Sequence, residues 1–163
     1  MANQFKSSKV YPISADGLLD IMTSEEYQMK NMEAMPQNKE GKFTEVSRDD
    51  KKMVFRMDTV EYVKKIPSGA LDMNKTENTY TITTWDLEKR KAEWEYHGPQ
   101  KQAKVWGTIE IEPEGDEAKM TNIFNIDVSV PVIAGKIEKK VVSEVEKHWP
   151  NYEARVMEFV NKK

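Results

Sequence analysis

The chain has no cysteine among its 163 residues. That excludes disulfides, thiolate zinc sites and cysteine nucleophiles. It holds only two histidines, His97 and His148, in neither an HxxxH nor an HExxH spacing, so no histidine metal centre is expected. A Gly-x-Ser-x-Gly elbow and a glycine-rich phosphate loop are also missing. No motif calls for a cofactor, and none is expected. No apolar run approaches the ~18 residues that span a bilayer. The opening Met-Ala-Asn-Gln-Phe-Lys-Ser-Ser lacks the apolar segment of a signal peptide. These features predict a cytoplasmic protein with no integral membrane segment. Positive charge is not in excess either: 25 Lys+Arg against 28 Asp+Glu give a net charge of -3. That is not the basic footprint of a nucleic-acid binder, so no nucleic-acid partner is predicted.

What the chain does have is strong patterning in its last third. Met120 to Val130 alternates and meets a hydrophobic corner, Pro131-Val132-Ile133-Ala134-Gly135. Beyond it Ile133, Ile137, Val141, Val145, Trp149, Tyr152, Val156 and Phe159 recur at steps of three or four. At 100° per residue these side chains share one stripe, so the spacing predicts a long amphipathic helix lying against a larger surface. Pro150 interrupts it, which predicts either a kink or two helices meeting there.

That larger surface is a strand meander. Phe5 to Tyr11 is a short strand ending at Pro12, and two short helices follow. Ser14 caps the first, which carries Leu18, Leu19, Ile21 and Met22. Thr23 or Ser24 caps the second, which carries Tyr27, Met29, Met32 and Met35 up to Pro36. Strands are then predicted over Gly41 to Arg48, Lys52 to Val63, Glu77 to Asp86, Lys91 to His97, Ala103 to Glu112 and Met120 to Val130. Alternation blurs near Thr59, the signature of a bulge. Ile66 to Lys75, with Pro67 and Gly69, reads as a loop. Residues 1–163 are taken as one domain, an antiparallel sheet with one wet and one dry face.

The order of strand, two short helices, about six strands and one long terminal helix resembles the START-like, or birch-pollen-allergen-like, helix-grip superfamily (SRPBCC). The most specific match is Val128-Ser129-Val130-Pro131-Val132-Ile133-Ala134-Gly135-Lys136-Ile137-Glu138-Lys139. It looks like the strand-to-helix corner of an uncharacterised bacterial branch, with Ala134 where that branch carries the first of two glycines. Trp85-Asp86 and Pro67 match its Trp-Asp strand end and its Pro-containing loop. The resemblance implies an α+β helix-grip fold, in which a curved antiparallel sheet of about seven strands (β-α-α-β6-α) wraps the C-terminal helix. It also implies non-catalytic binding of a hydrophobic small molecule, such as a lipid, sterol or polyketide-like ring system, between sheet and helix. A cyclase- or hydrolase-type enzyme, or a chaperone-activator-like interaction protein whose core is filled, is the alternative within the same fold. No protein partner is specified, and the superfamily supplies no catalytic residue to carry over.

Alternation and the helical stripe nominate the ligand-binding residues. They are Met53, Phe55, Met57, Tyr80, Ile82, Trp94, Tyr96, Asn122, Phe124 and Ile126 from the strands, with Ile137, Val141, Val145 and Trp149 from the helix. Tyr80, Trp94, Tyr96 and Asn122 can offer a ligand hydrogen bonds. Two uses of the Met and aromatic set stay open, plain core packing and a cavity wall of about 300 to 1,000 Å³. For the enzyme reading, Tyr96 with His148 is the nominated polar pair. Glu144, four residues before His148, is a further acid-base neighbour.

Overall fold

The computed structural model of the chain describes residues 2–65, 68–99 and 101–163. Ile66 and Pro67, which the sequence assigns to a loop, lie outside the described residues. Strand β1 (Ala2–Tyr11) is followed by helices α1 (Ala15–Met22) and α2 (Glu25–Glu33). Six strands come next: β2 (Asn38–Arg48), β3 (Lys52–Lys64), β4 (Leu71–Asp86), β5 (Lys91–His97), β6 (Ala103–Glu114) and β7 (Glu117–Val128). Helix α3 (Ala134–Asn161) ends the fold. The strands form one antiparallel sheet in the order β1-β7-β6-β5-β4-β3-β2, so the first and last strands pair and β1 and β2 are the edges. This is the expected α+β helix-grip arrangement.

Local chemistry sets the ends of the elements. The Ser14 and Ser24 hydroxyls accept from the Gly17 and Tyr27 amides at 3.0 and 3.2 Å, capping α1 and α2. Asp49 Oδ1 accepts from the Lys51 and Lys52 amides, both at 2.8 Å, and closes the β2–β3 turn. Asp86 does the same for the turn after β4, through the Glu88 and Lys89 amides. The Trp-Asp strand end thus joins a fully buried indole to a turn-closing carboxylate. Pro113 falls inside β6. The β5 ladder stops at Glu110, so this end of β6 needs no further amide on that side. The turn itself is Gly115-Asp116, with Gly115 at φ 63°.

Two expectations about irregularity shift. Pairing breaks on both sides of β3: β2 bulges at Lys39, opposite Val60 and Glu61 and beside Thr59 as expected, and Tyr62 pairs with Thr76 but Val63 with Asp72, so Met73-Asn74-Lys75 bulges out of β4. Leu71 to Lys75, read as loop, therefore belongs to a strand. Pro150 divides nothing, because α3 is continuous through it for 28 residues. Among the described residues no helix is long and apolar enough to cross a membrane.

The core is concentrated at one end. Tyr11, Leu18, Met22, Tyr27, Met53, Trp85, Ile111, Met120 and Val156 are each 2% exposed or less and belong to one apolar cluster. They come from α1, α2, the final turns of α3 and the strand ends beneath them. Tyr27 meets Phe159 edge-on, with ring centroids 5.4 Å apart.

Candidate functional site

At the other end the apolar side chains of α3 that face the sheet are only half-buried. The helix packs closest on β1 and β7. Register places Phe5, Phe124, Gly107, Trp94, Thr83 and Phe55 in one row across the concave face. The next row toward the open end holds Asn3, Ile126, Val105, Tyr96, Thr81 and Met57. Ile137, Val141, Val145 and Trp149 are half-buried, and so are Phe5, Trp94, Tyr96, Val105, Asn122 and Phe124. Met53, Phe55, Met57 and Ile126 are buried. Apolar groups on sheet and helix thus retain access to solvent, whereas those beneath α1 and α2 retain almost none.

An aromatic band runs between the two halves. Trp94 lies 5.9 Å from Phe124, whose cross-strand partner is Phe5. Phe5 meets Trp149 at 5.1 Å, and Trp149 stacks on Tyr152 at 4.4 Å. Gly107 makes room for it. A Cβ there would come within 2.5 Å of the Trp94 ring and would collide with the Ile123 carbonyl oxygen.

Two nominated residues lie on the other face. Tyr80 pairs with Asp58 and His97, and Ile82 with Arg56 and Glu95, all on the convex side. The Arg56 guanidinium sits 3.8 Å over the Tyr80 ring, and His97 stacks against it at 4.7 Å. The phase of β4 follows Trp85, which is fully buried, so its inward row is Thr79, Thr81 and Thr83. Threonine on the dry side and Tyr and Ile on the wet side invert the usual polarity, and alternation alone misreads the strand.

The polar groups of the open half form a cluster that the sequence did not flag. Glu61 Oε2 accepts from the Tyr96 hydroxyl at 2.6 Å and from Thr79 Oγ1 at 2.5 Å. Glu77 is the direct cross-strand partner of Glu61. Burial first, and the Glu61 charge second, raise the Glu77 carboxyl above its ordinary value. Burial, followed by the neighbouring Glu61, likewise raises the Tyr96 phenol, so Tyr96 stays a protonated donor. The only sequence signal for this grouping is the β3–β4 register, which the bulge at Met73-Asn74-Lys75 obscures.

His148 is not part of the cluster. It pairs with Glu144 at 3.5 Å, and both side chains are about half exposed (53% and 52%). Among the described residues no group of three or more His, Asp or Glu is placed to hold a metal. Two clefts, of about 460 and 400 Å³, lie away from α3. The first is lined by Asp20, Phe43, Arg48 and Met53, the second by Gly41, Asp58, Thr59 and Thr79.

The N-terminal end of α3 is fastened by Glu138, which is 0% exposed. Its carboxylate accepts from the Val128 amide at 2.7 Å and from Asn3 Nδ2 at 3.1 Å. This one side chain ties α3 to both strands it crosses.

A seven-strand antiparallel sheet holding one long terminal helix over its concave face is the START-like helix-grip fold. The chain belongs to the family described as "Protein of unknown function (DUF2505)", whose pattern matches residues 6–159. No curated protein matches the sequence. Among solved structures it is similar to Ara h 8.0201, at 11% identity and a TM-score of 0.61 over 100% of both chains. It is also similar to norcoclaurine synthase from Thalictrum flavum, solved with dopamine and hydroxybenzaldehyde, at 14% identity and a TM-score of 0.60, covering 99% of this chain and 86% of that one. A START superfamily protein from Mycobacterium smegmatis matches at 15% identity and a TM-score of 0.56, covering 95% and 97%. At these identities the likeness is one of fold.

Proposed function

We propose that this protein is a cytoplasmic binder or carrier of a hydrophobic small molecule, held between the concave face of the sheet and the first half of α3. The observation that carries this reading is the half-buried state of Trp94, Tyr96, Phe124, Ile137, Val141, Val145 and Trp149 on facing walls. Leaving apolar side chains partly wet forgoes about 25 cal/mol per Å², which an apolar occupant would recover. Tyr96 and Asn122 supply the hydrogen bonds that orient the occupant, while Met57 and Ile126 form its floor. A lipid, a sterol or a polyketide-like ring system fits this mixture of aromatic walls and few polar groups. Tyr80 and Ile82, being on the convex face, have no part in it. Native mass spectrometry of gently purified protein is expected to show a bound small molecule. Delipidated protein whose thermal midpoint ignores lipids, sterols and aromatic polyketides alike would refute the reading.

The Tyr96–Glu61 pair favours a second reading, an enzyme of the cyclase kind; norcoclaurine synthase shows that this fold can belong to a synthase. A phenol donor beside two carboxylates can hold and pass a proton next to a bound ring. Here Glu61, rather than His148, is the partner of Tyr96. Turnover of a ring-forming substrate that disappears in both Tyr96→Phe and Glu61→Gln would select this reading. Binding without turnover selects the carrier.

A further inference from the structure

The corner between β7 and α3 is exposed in a way that folding does not explain. Val132 is 100% exposed and Ile133 40%, with Pro131 beside them also exposed. Val132 also has φ 72°, a left-handed conformation that a β-branched residue adopts only under strain. The chain therefore holds an apolar side chain away from its own surface, at a cost, and gains no packing for it.

Most of the exposed charged residues around this corner are lysines. Lys136 and Lys139 are exposed on the outer side of α3, while Glu138 between them points inward and is fully buried. Lys140 donates to the Ser68 carbonyl at 2.6 Å, which brings the β3–β4 connection, with exposed Lys64 and Lys65, to the same end. The Ser129 amide donates to the Gln102 carbonyl at 2.8 Å, bringing exposed Lys101 and Lys104 alongside. Exposed Asp127 and half-buried Asp72, which pairs with Val63, are acidic residues at this end. Lysines in the first turns of a helix work against its dipole, so α3 gains nothing from them. In a chain of net charge -3, this gathering of lysines around an apolar tip is a local reversal.

We infer that this corner docks on the surface of a bilayer containing anionic lipid. Val132 and Ile133 enter the headgroup boundary, and the lysines of α3 and of the two neighbouring connections lie on the negative headgroups. An apolar tip inside a cationic ring is complementary to that surface on both counts. The corner stands at the open end of the interior, beside Ile137 and Val141, so docking would bring the proposed binding space against the lipid. The inference stands on the exposed corner and its charges. It is independent of what the interior holds.

The test is sedimentation of full-length protein with vesicles of phosphatidylcholine alone and with about 30% phosphatidylglycerol. The protein is expected to bind the anionic vesicles and to be released by salt. Val132→Gly removes the side chain and relieves the φ at once, so the thermal midpoint should hold or rise while vesicle affinity falls about tenfold. Lys136→Glu with Lys139→Glu should lower it by more than about tenfold. Lys51→Glu, in the turn at the far end of β3, should leave it unchanged. Equal sedimentation of wild type and Val132→Gly, or binding indifferent to phosphatidylglycerol, would overturn the proposal. So would a dimer in solution that Val132→Gly dissolves, because a second copy would then be the occupant. Binding of a fluorescent apolar probe without vesicles, unchanged in Val132→Gly, keeps this result separate from that of the interior.

Discussion

The Tyr96 hydroxyl reaches across β4 to donate to Glu61 Oε2 at 2.6 Å, joining β5 to β3 on the concave face of the sheet. Thr79, from the strand between them, donates to the same oxygen. Tyr96→Phe removes the longer-range member. A side-chain hydrogen bond in this half-buried setting is worth about 1 kcal/mol. The loss should appear in a urea titration as a lower midpoint at constant slope. Combined with Glu61→Gln it should cost less than the sum of the single changes, since both remove one bond.

Glu77 sets a pH dependence whose sign can be worked out. Burial and the facing Glu61 charge raise its folded-state value, so the folded chain holds this proton more tightly than the unfolded chain. The contribution favours folding when Glu77 is protonated and is lost as pH rises through the raised value. Glu77→Gln is therefore expected to be more stable than wild type at pH 7, by about 0.2–1 kcal/mol for relief of a like-charge cross-strand pair. Thermal melts should show this gap closing toward pH 4, and a gap that widened on acidification would contradict the assignment.

Gly107→Ala is expected to be the most damaging small change in the sheet. The added methyl would strike the Ile123 carbonyl oxygen and the Trp94 ring, and neither can retreat without breaking a ladder or the aromatic band. A cost of about 3 kcal/mol is expected, with the tryptophan emission shifted. Gly115→Ala, with nothing within 4 Å of its Cβ, serves as the comparison: any loss there comes from the positive φ alone.

Glu138→Ala strands the buried Val128 amide and frees Asn3. We expect a loss of about 1–3 kcal/mol for the unsatisfied donor. Hydrogen exchange should locate the effect, with faster exchange at Val128 and the first turns of α3 but not at Tyr27 or Trp85. Uniform loss of protection would mean that Glu138 supports the whole fold rather than this junction.

Most of the fold is legible in the sequence because its period-two runs are long and clean. Met53, Phe55 and Met57 fix one strand, and Met120, Phe124, Ile126 and Val128 fix another. The serine caps mark both short helices. Legibility ends where local polarity and tertiary demand part. In β4 the phase follows one buried indole, Trp85, and carries Tyr80 and Ile82 outward against their hydrophobicity. The Glu61–Thr79–Tyr96 cluster depends on three strands being in register, and a bulge of three residues separates that register from the linear pattern. His148 is the nominated polar partner of Tyr96 for an enzyme, but the helix turns it to solvent.

Steric constraint in this molecule is unevenly spread. Under α1 and α2 each side chain is fixed by its neighbours' volumes, so replacements there carry the full cost of cavities or overpacking. Beneath the first half of α3, away from the Trp94–Gly107 contact, the half-buried side chains are held less closely by their neighbours. Related chains can therefore diverge in one region while the other preserves their capacity to fold.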